Sequence, residues 1–494
     1  MATVLDYLSA SAARFPDRVA LADETDSYTF AQLQRRVLAL AGEILPRCRA
    51  RAFVGVYAHR RADAVAGMLA VAAAGCCYVP LNPGYPRDKL AQILADAGIT
   101  LILGCEPESE YRGEDLGCEY LSCLAPGPAA VPELPPVAPE DPLYLIYTSG
   151  STGKPKGILK THGAMVDFIE AYVDRFGFTQ EEVLGNQTPF CFDASAKDLY
   201  LMLKTGARME IIPTQLFSFP VKLIEYLNAR SVTMISWVPS ALALVSRMRT
   251  FRDILPTTLR RVFFVGEVLA KKELDAWRSY LPDLQYVNLF GASELAGICC
   301  YYEILPGAET PEVLPIGKPL GNSRVFLLGE DGLVTKPYVE GELLVSSGAL
   351  ATCYLGDPEK TAQTLLDMDL GGERVHVLRT GDLAMYDEDC NLVYRSRRDH
   401  QIKHMGYRIE LGEIEAAVNA LPYIGECCCV YDDRRDRIVV CCTTSLPDLK
   451  LKQLTGDLRD KLADYMLPNR LMVLAEMPHN ANGKLDRVAL KAQL

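Results

Sequence analysis

Leu143-Tyr144-Leu145-Ile146-Tyr147 is a short apolar run that empties straight into Thr148-Ser149-Gly150-Ser151-Thr152-Gly153-Lys154-Pro155-Lys156-Gly157. An apolar run of this length, closed by a turn signal, reads as a buried strand. The glycines let the following backbone turn tightly and bring N–H groups to an anion, while hydroxyls and lysines add donors and positive charge. The loop is not a Walker loop, because Lys154 is followed by Pro155 where GxxxxGK[ST] needs Ser or Thr. On composition alone, a flexible surface loop is an equal alternative.

Helical and strand patterns alternate along most of the chain, which implies α/β layers around largely buried sheets. At 494 residues the chain is too long for one core, so two or more domains are expected. Prolines from Pro126 through Pro128, Pro132, Pro135, Pro136 and Pro139 to Pro142 read as a linker. A second boundary is expected near residue 395, where Tyr394-Arg395-Ser396-Arg397-Arg398-Asp399-His400 interrupts the apolar pattern. Beyond it, a helix over 412–421 and strands around 427–431 and 438–443 suffice for a small α+β domain. From Ala64 to Leu81 no residue is charged. Its Ala, Gly and Cys gain little in lipid, so a buried helix turning into a buried strand fits better than a membrane span.

The net charge of -12 repels phosphate backbones, and no Lys/Arg run stands out, so nucleic acid is not an expected partner. The N-terminus lacks the basic-then-apolar order of a signal peptide. The 16 cysteines show no CxxC pair and no zinc spacing. They read as buried free thiols in a reducing cytoplasm.

The complete string Thr148 to Gly157 resembles the phosphate loop of the adenylate-forming superfamily, which includes acyl-CoA synthetases, luciferases and the adenylation domains of nonribosomal peptide synthesis. Further motifs follow in family order. Ala74-Gly75-Cys76-Cys77-Tyr78-Val79-Pro80-Leu81-Asn82-Pro83 is similar to AGxAYVPLDP, and Asn288-Leu289-Phe290-Gly291-Ala292-Ser293-Glu294 to NxYGPTE. Gly341-Glu342-Leu343, Arg379-Thr380-Gly381-Asp382, Ser396 to Lys403, Gly406 to Glu415 and Asn482-Gly483-Lys484-Leu485-Asp486-Arg487 resemble later family motifs.

The resemblance implies a large N-terminal domain of layered sheets and helices over 1–396, a hinge at 397–399 centred on Asp399, and a small mobile α+β domain over 400–494. It implies ATP and Mg²⁺, with Thr148, Ser149, Gly150, Ser151, Thr152, Gly153, Lys154 and Lys156 around the phosphates. Glu294 would hold the Mg²⁺, a hard cation that prefers oxygen. Asp382, with Arg397, would take the ribose. Phe290 would stack on adenine in place of the usual Tyr. Gly266, Glu267, Asn288, Gly291, Ala292 and Ser293 would complete the nucleotide site. Lys484 would bridge carboxylate and phosphate. Taken singly, Glu294, Asp382 and Arg397 read more readily as surface charges and Lys484 as a solvated turn residue; only their joint order favours the site. Ser396 for the usual Gly and Met405 for the usual Arg are departures that bear on the transfer step.

Phe192-Asp193-Ala194-Ser195 resembles the FDxS element of amino-acid-activating members, in which the Asp meets the substrate's α-ammonium. The alternative is that Asp193 caps a helix beginning there. The implied pocket is Asp193, Ala194, Lys197, Ser236, Phe263, Val265, Leu289, Gly297, Ile298 and Lys484. On a helix, Lys197 would share a face with Asp193 and would suit an acidic substrate such as glutamate or aspartate. It could equally pair with Asp193 or turn to solvent, leaving an apolar pocket. Asn186 to Phe190 and Gly266-Glu267-Val268-Leu269 also resemble D-alanine:carrier-protein ligases. Those carry Cys where Val265 stands and lack a Lys at 197. The chain ends without a GxDS-type attachment site, so a phosphopantetheine carrier protein is expected in trans, unless the chain is one domain of a larger synthetase.

Overall fold

The computed structural model describes residues 2–105, 111, 113–124, 133–148, 155–398, 401–479 and 485–494. The chain divides into two compact units. The first comprises Met1–Pro83, Ala97–Ile146 and Ile158–Arg398; the second comprises Gly84–Asp96, Tyr147–Gly157 and Asp399–Leu494.

A 9-stranded sheet runs in the order Lys318–Pro319, Cys300–Ile304, Gln285–Phe290, Arg261–Val265, Met234–Trp237, Val183–Asn186, Arg208–Ile211, Val19–Ala22, Ser27–Thr29. Neighbours from Gln285–Phe290 to Val19–Ala22 are parallel, and antiparallel strands flank them. Parallel strands are covered on both faces and therefore read as continuous apolar runs, as Val262 to Val265 does within Arg261–Val265. A 7-stranded sheet runs in the order Cys353–Tyr354, Lys156–Thr161, Pro142–Thr148, Cys77–Leu81, Phe53–Tyr57, Leu101–Gly104, Glu119–Ser122. The apolar run at 143–147 lies inside its Pro142–Thr148 strand.

The uncharged stretch at 64–81 is interior. Ala62–Ala73 is a helix buried along its whole length, and Cys77–Leu81 is a buried strand. Among the described residues no helix is long and apolar enough to cross a membrane. A mainly antiparallel 6-stranded sheet contains Ser323–Gly329, Gly341–Ser347, Glu373–Tyr386 and Leu392–Arg397. The charged stretch from Tyr394 is strand through Arg397, and the two units part directly after it, between Arg398 and Asp399.

Apolar burial at about 1.5–3 kcal/mol per large side chain drives the packing. In the first unit Phe168, Tyr172, Phe176 and Phe263 meet in one core cluster, and Trp237 and Trp277 lie fully buried in another.

In the second unit a hairpin, Gln401–His404 with Tyr407–Glu410, leads into helix Leu411–Asn419. A 3-stranded sheet of Ile424–Asp432, Arg437–Thr444 and Arg470–Val473 follows. Within this unit Lys89 donates to Glu413 over 2.9 Å, both side chains nearly buried. All the cysteines are free thiols, and only Cys390 is exposed. Burial pushes Cys428 up to about 12 and Cys441 up to about 11.

Candidate active site

Ligands in open α/β sheets bind beyond the carboxyl ends of parallel strands. Here Phe264 pairs with Asn288 and Val265 with Leu289, so two neighbouring strands release Gly266-Glu267 and Gly291 to Glu294 from the same edge. Gly266 sits at φ +106, a conformation that favours glycine. Glu267 accepts the Ser240 N–H at the start of helix Pro239–Arg247, 3.1 Å away, where the helix dipole favours a carboxylate. Asn288 is buried and donates to the Pro315 carbonyl over 2.8 Å, so its side chain serves the loop beneath.

The loop after Phe290 folds tightly on itself. A Cβ at Gly291 would strike the backbone of Gly297 and Ile298, and one at Gly297 would run into the Phe168 ring. Ala292 and Ser293 lie between, half-buried. Glu294 is only 3% exposed and accepts the Tyr354 hydroxyl. The Phe290 ring lies 6.4 Å from that of Tyr394, which stands on the strand carrying Arg397. Asp382 and Arg397 are register partners across two antiparallel strands. Arg397 Nη1 donates to Asp382 Oδ1 over 2.7 Å and Nη2 to the Thr380 carbonyl over 3.1 Å. Asp382 is 2% exposed. The reading of Glu294, Asp382 and Arg397 as surface charges is thus corrected: each is turned inward onto a partner that offsets its desolvation.

Thr148 closes its strand, and Lys156 opens the next with Nζ 3.6 Å from Glu410 Oε1. Ser149, Gly150, Ser151, Thr152, Gly153, Lys154, Asp399 and Lys484 lie outside the described residues.

Elsewhere in the first unit, Asp193 begins a 3-10 turn, Asp193–Ser195, ahead of helix Ala196–Thr205. It caps nothing. Its Oδ1 accepts the Tyr144 hydroxyl at 2.7 Å and Lys160 Nζ at 3.0 Å. Burial pushes its carboxyl above the usual range, and the charge of Lys160 opposes that rise. Lys160 is 0% exposed, donates also to the Leu295 carbonyl over 2.5 Å, and lies 5.4 Å from the centre of the Tyr144 ring. Tyr144 is itself stacked on Tyr78.

Neither alternative expected for Lys197 holds. It is 2% exposed, not solvated, and pairs not with Asp193 but with Asp198 at 3.3 Å. Its Nζ also donates to the Ala194 carbonyl at 2.9 Å and the Ser236 carbonyl at 3.4 Å. The 3-10 turn advances 120° per residue rather than 100°, which carries Asp193 off the face of Lys197. Phe263, Val265, Leu289 and Ile298 are buried, and Ser236 Oγ is buried without a well-formed hydrogen bond.

Sequence reasoning does not single out Lys160 or Tyr144. A signal for Lys160 is nonetheless present: strand alternation places it on the buried face with Ile158, where a charge must be paired.

A sequence profile described as AMP-binding enzyme matches residues 8–355, and one described as AMP-binding enzyme C-terminal domain matches residues 413–484. The chain belongs to the AMP-binding enzyme family. It is 31% identical over 486 residues to tyrocidine synthase 1 of Brevibacillus parabrevis, covering 96% of this chain and 44% of that protein. It is 30% identical over 498 residues to zwittermicin A synthase ZmaJ of Bacillus cereus, covering 97% of this chain and 92% of that protein. The chain spans less than half the length of several curated relatives it matches. Among solved structures, PA1221, an NRPS protein containing adenylation and PCP domains, aligns with TM-score 0.87 at 24% identity. The alignment covers 100% of this chain and 84% of that one. The layered α/β fold with a small C-terminal domain is that of the adenylate-forming enzymes.

Proposed function

We propose that this chain activates a carboxylic acid, an amino acid or its close analogue, as its acyl-adenylate and passes the acyl group to the phosphopantetheine thiol of a carrier protein. In the first step a carboxylate oxygen attacks the α-phosphorus of ATP and the bond to pyrophosphate breaks. In the second, the thiol sulfur attacks the acyl carbon and AMP leaves. The observation that carries this reading is the convergence of Gly266-Glu267, Phe290 and Glu294 on one sheet edge, with the Asp382–Arg397 pair joined to it through Tyr394.

The parts suit the task, since joining two anions is mostly positioning and charge neutralisation. Phe290 offers a ring face to adenine, and the Asp382 carboxylate accepts ribose hydroxyls. Glu294 supplies carboxylate oxygen of the kind that holds Mg²⁺, whose charge would offset that of the phosphates. The Thr148 to Gly157 loop would embrace the phosphates and Lys484 would meet the reacting carboxylate. In this reading residues 1–396 form the core, and 400–494 swing about Asp399 between the two steps.

For the substrate's side chain, an acidic group would have to draw Lys197 from three oxygens that already hold it. The apolar surroundings of Phe263, Val265, Leu289 and Ile298 favour an apolar side chain instead. The test is acid-dependent ATP–pyrophosphate exchange over the common amino acids, D-alanine and their analogues, followed by carrier-protein loading. Exchange with at least one acid, with radiolabel transferred to the carrier, supports the proposal. ATP binding without exchange under any acid refutes it.

A further inference from the structure

Asp193 stands where the FDxS resemblance puts the partner of the substrate's α-ammonium, yet its charge is already answered from within the chain. Oδ1 holds both the Tyr144 hydroxyl and Lys160 Nζ. Lys160 has no solvent to retreat to: it is wholly buried, tied to the Leu295 carbonyl and set against the Tyr144 ring. Tyr144 cannot readily turn away either, because Tyr78 stacks on it with ring centres 5.5 Å apart, and the Tyr78 hydroxyl bonds that of Tyr200 at 2.8 Å. The pair is therefore a built part of the site.

A substrate ammonium arriving at Asp193 would meet a neutral ion pair and lie within a few ångströms of a second buried cation. It would shed its water without a net opposite charge to receive it. Glu294 also bears electrostatically on Asp193, but that carboxylate faces the metal in the proposed reading. What Asp193 retains is an acceptor. Oδ2 takes no hydrogen bond from the described residues, and 13% of the side chain is exposed. One neutral donor suits it.

We infer that the acid this chain activates carries a hydroxyl, not an ammonium, on the carbon next to its carboxylate, with Lys160 supplying the cation that Asp193 holds. The substrate class is thus the 2-hydroxy acids with apolar side chains. This rests on the adenylation reading above and goes beyond it in naming the class.

The test uses the full chain in ATP–pyrophosphate exchange with matched sets, each an amino acid with its 2-hydroxy, 2-oxo and unsubstituted counterparts, built on leucine, valine and phenylalanine side chains. In at least one set the 2-hydroxy acid is expected to exceed the amino acid by 10-fold or more in kcat/KM. Exchange in which the amino acid equals or exceeds its hydroxy counterpart in every active set overturns the inference and leaves the adenylation reading standing. Preference for the 2-oxo or unsubstituted acid also overturns it. Silence across every acid, with ATP bound, removes the adenylation reading and the inference with it. In Lys160→Met the preference should swing toward the amino acid by at least 10-fold, whereas Lys160→Arg should keep the wild-type order. An unchanged preference in a folded Lys160→Met protein overturns the inference. Should that variant not fold, the wild-type panel decides alone.

Discussion

Replacing Arg397 by Met should cost the first unit about 3–5 kcal/mol, because it strands a carboxylate that has almost no access to water. The expectation follows from the geometry: Asp382 is buried, and Arg397 is its 2.7 Å partner, with only 11% of the arginine side chain exposed. Asp382→Asn should cost less, about 1–2 kcal/mol, since the amide oxygen still accepts and Arg397 keeps the Thr380 carbonyl. Once residue 382 is neutral, Arg397→Met no longer leaves a buried charge. The double variant should therefore be less destabilised than the sum of the singles, with a coupling above about 1.5 kcal/mol. The assay is equilibrium urea unfolding followed by tryptophan fluorescence. Both tryptophans, Trp237 and Trp277, lie buried in the unit that holds the pair. Additivity within about 0.5 kcal/mol would show that the pair is inert and would refute the reasoning.

Gly297→Ala pushes a methyl into the buried Phe168 ring and should lower stability by about 1–3 kcal/mol, with partial recovery in Gly297→Ala/Phe168→Leu, read by the same unfolding assay. Burial holds His162 down at about 4 against an ordinary 6.5, so the unfolded chain binds the extra proton between those values. Stability should be fully present above pH 6.5 and fall by up to about 3 kcal/mol as pH drops toward 4, a slope that His162→Gln removes. Thiol titration of the native protein with a disulfide reagent should show one fast-reacting group, lost in Cys390→Ser, because the remaining cysteines are buried or half-buried.

The strand at 143–147 and the helix-to-strand passage at 64–81 were legible because local periodicity and composition decide them. The chemistry of the edge was legible only as residue types in order. That Glu294 and Asp382 are buried depends on Tyr354, 60 residues on, and Arg397, 15 residues on, arriving from other strands. Lys197 misled because its face was counted at the α-helical angle from Asp193, and the chain takes a 3-10 turn there first. The partner of Asp193 escaped because it sits 33 residues earlier on a strand of the other sheet. A lone Lys in an apolar strand announces that it must be paired, but not with what.

Lys160 stands next to Leu159 and Ile158, which pair with Cys353 and Tyr354, so the ladder there is held by main-chain atoms rather than by the side chain at 160. On the inference drawn above, one side chain then serves both the fold, through its buried ion pair with Asp193, and the choice of acid. Replacing Lys160 by a neutral residue would, on that inference, turn a neutral pair into a lone carboxylate at Asp193. A lineage could then move between acid classes at one codon only where the rest of the fold bears the stability lost with the ion pair.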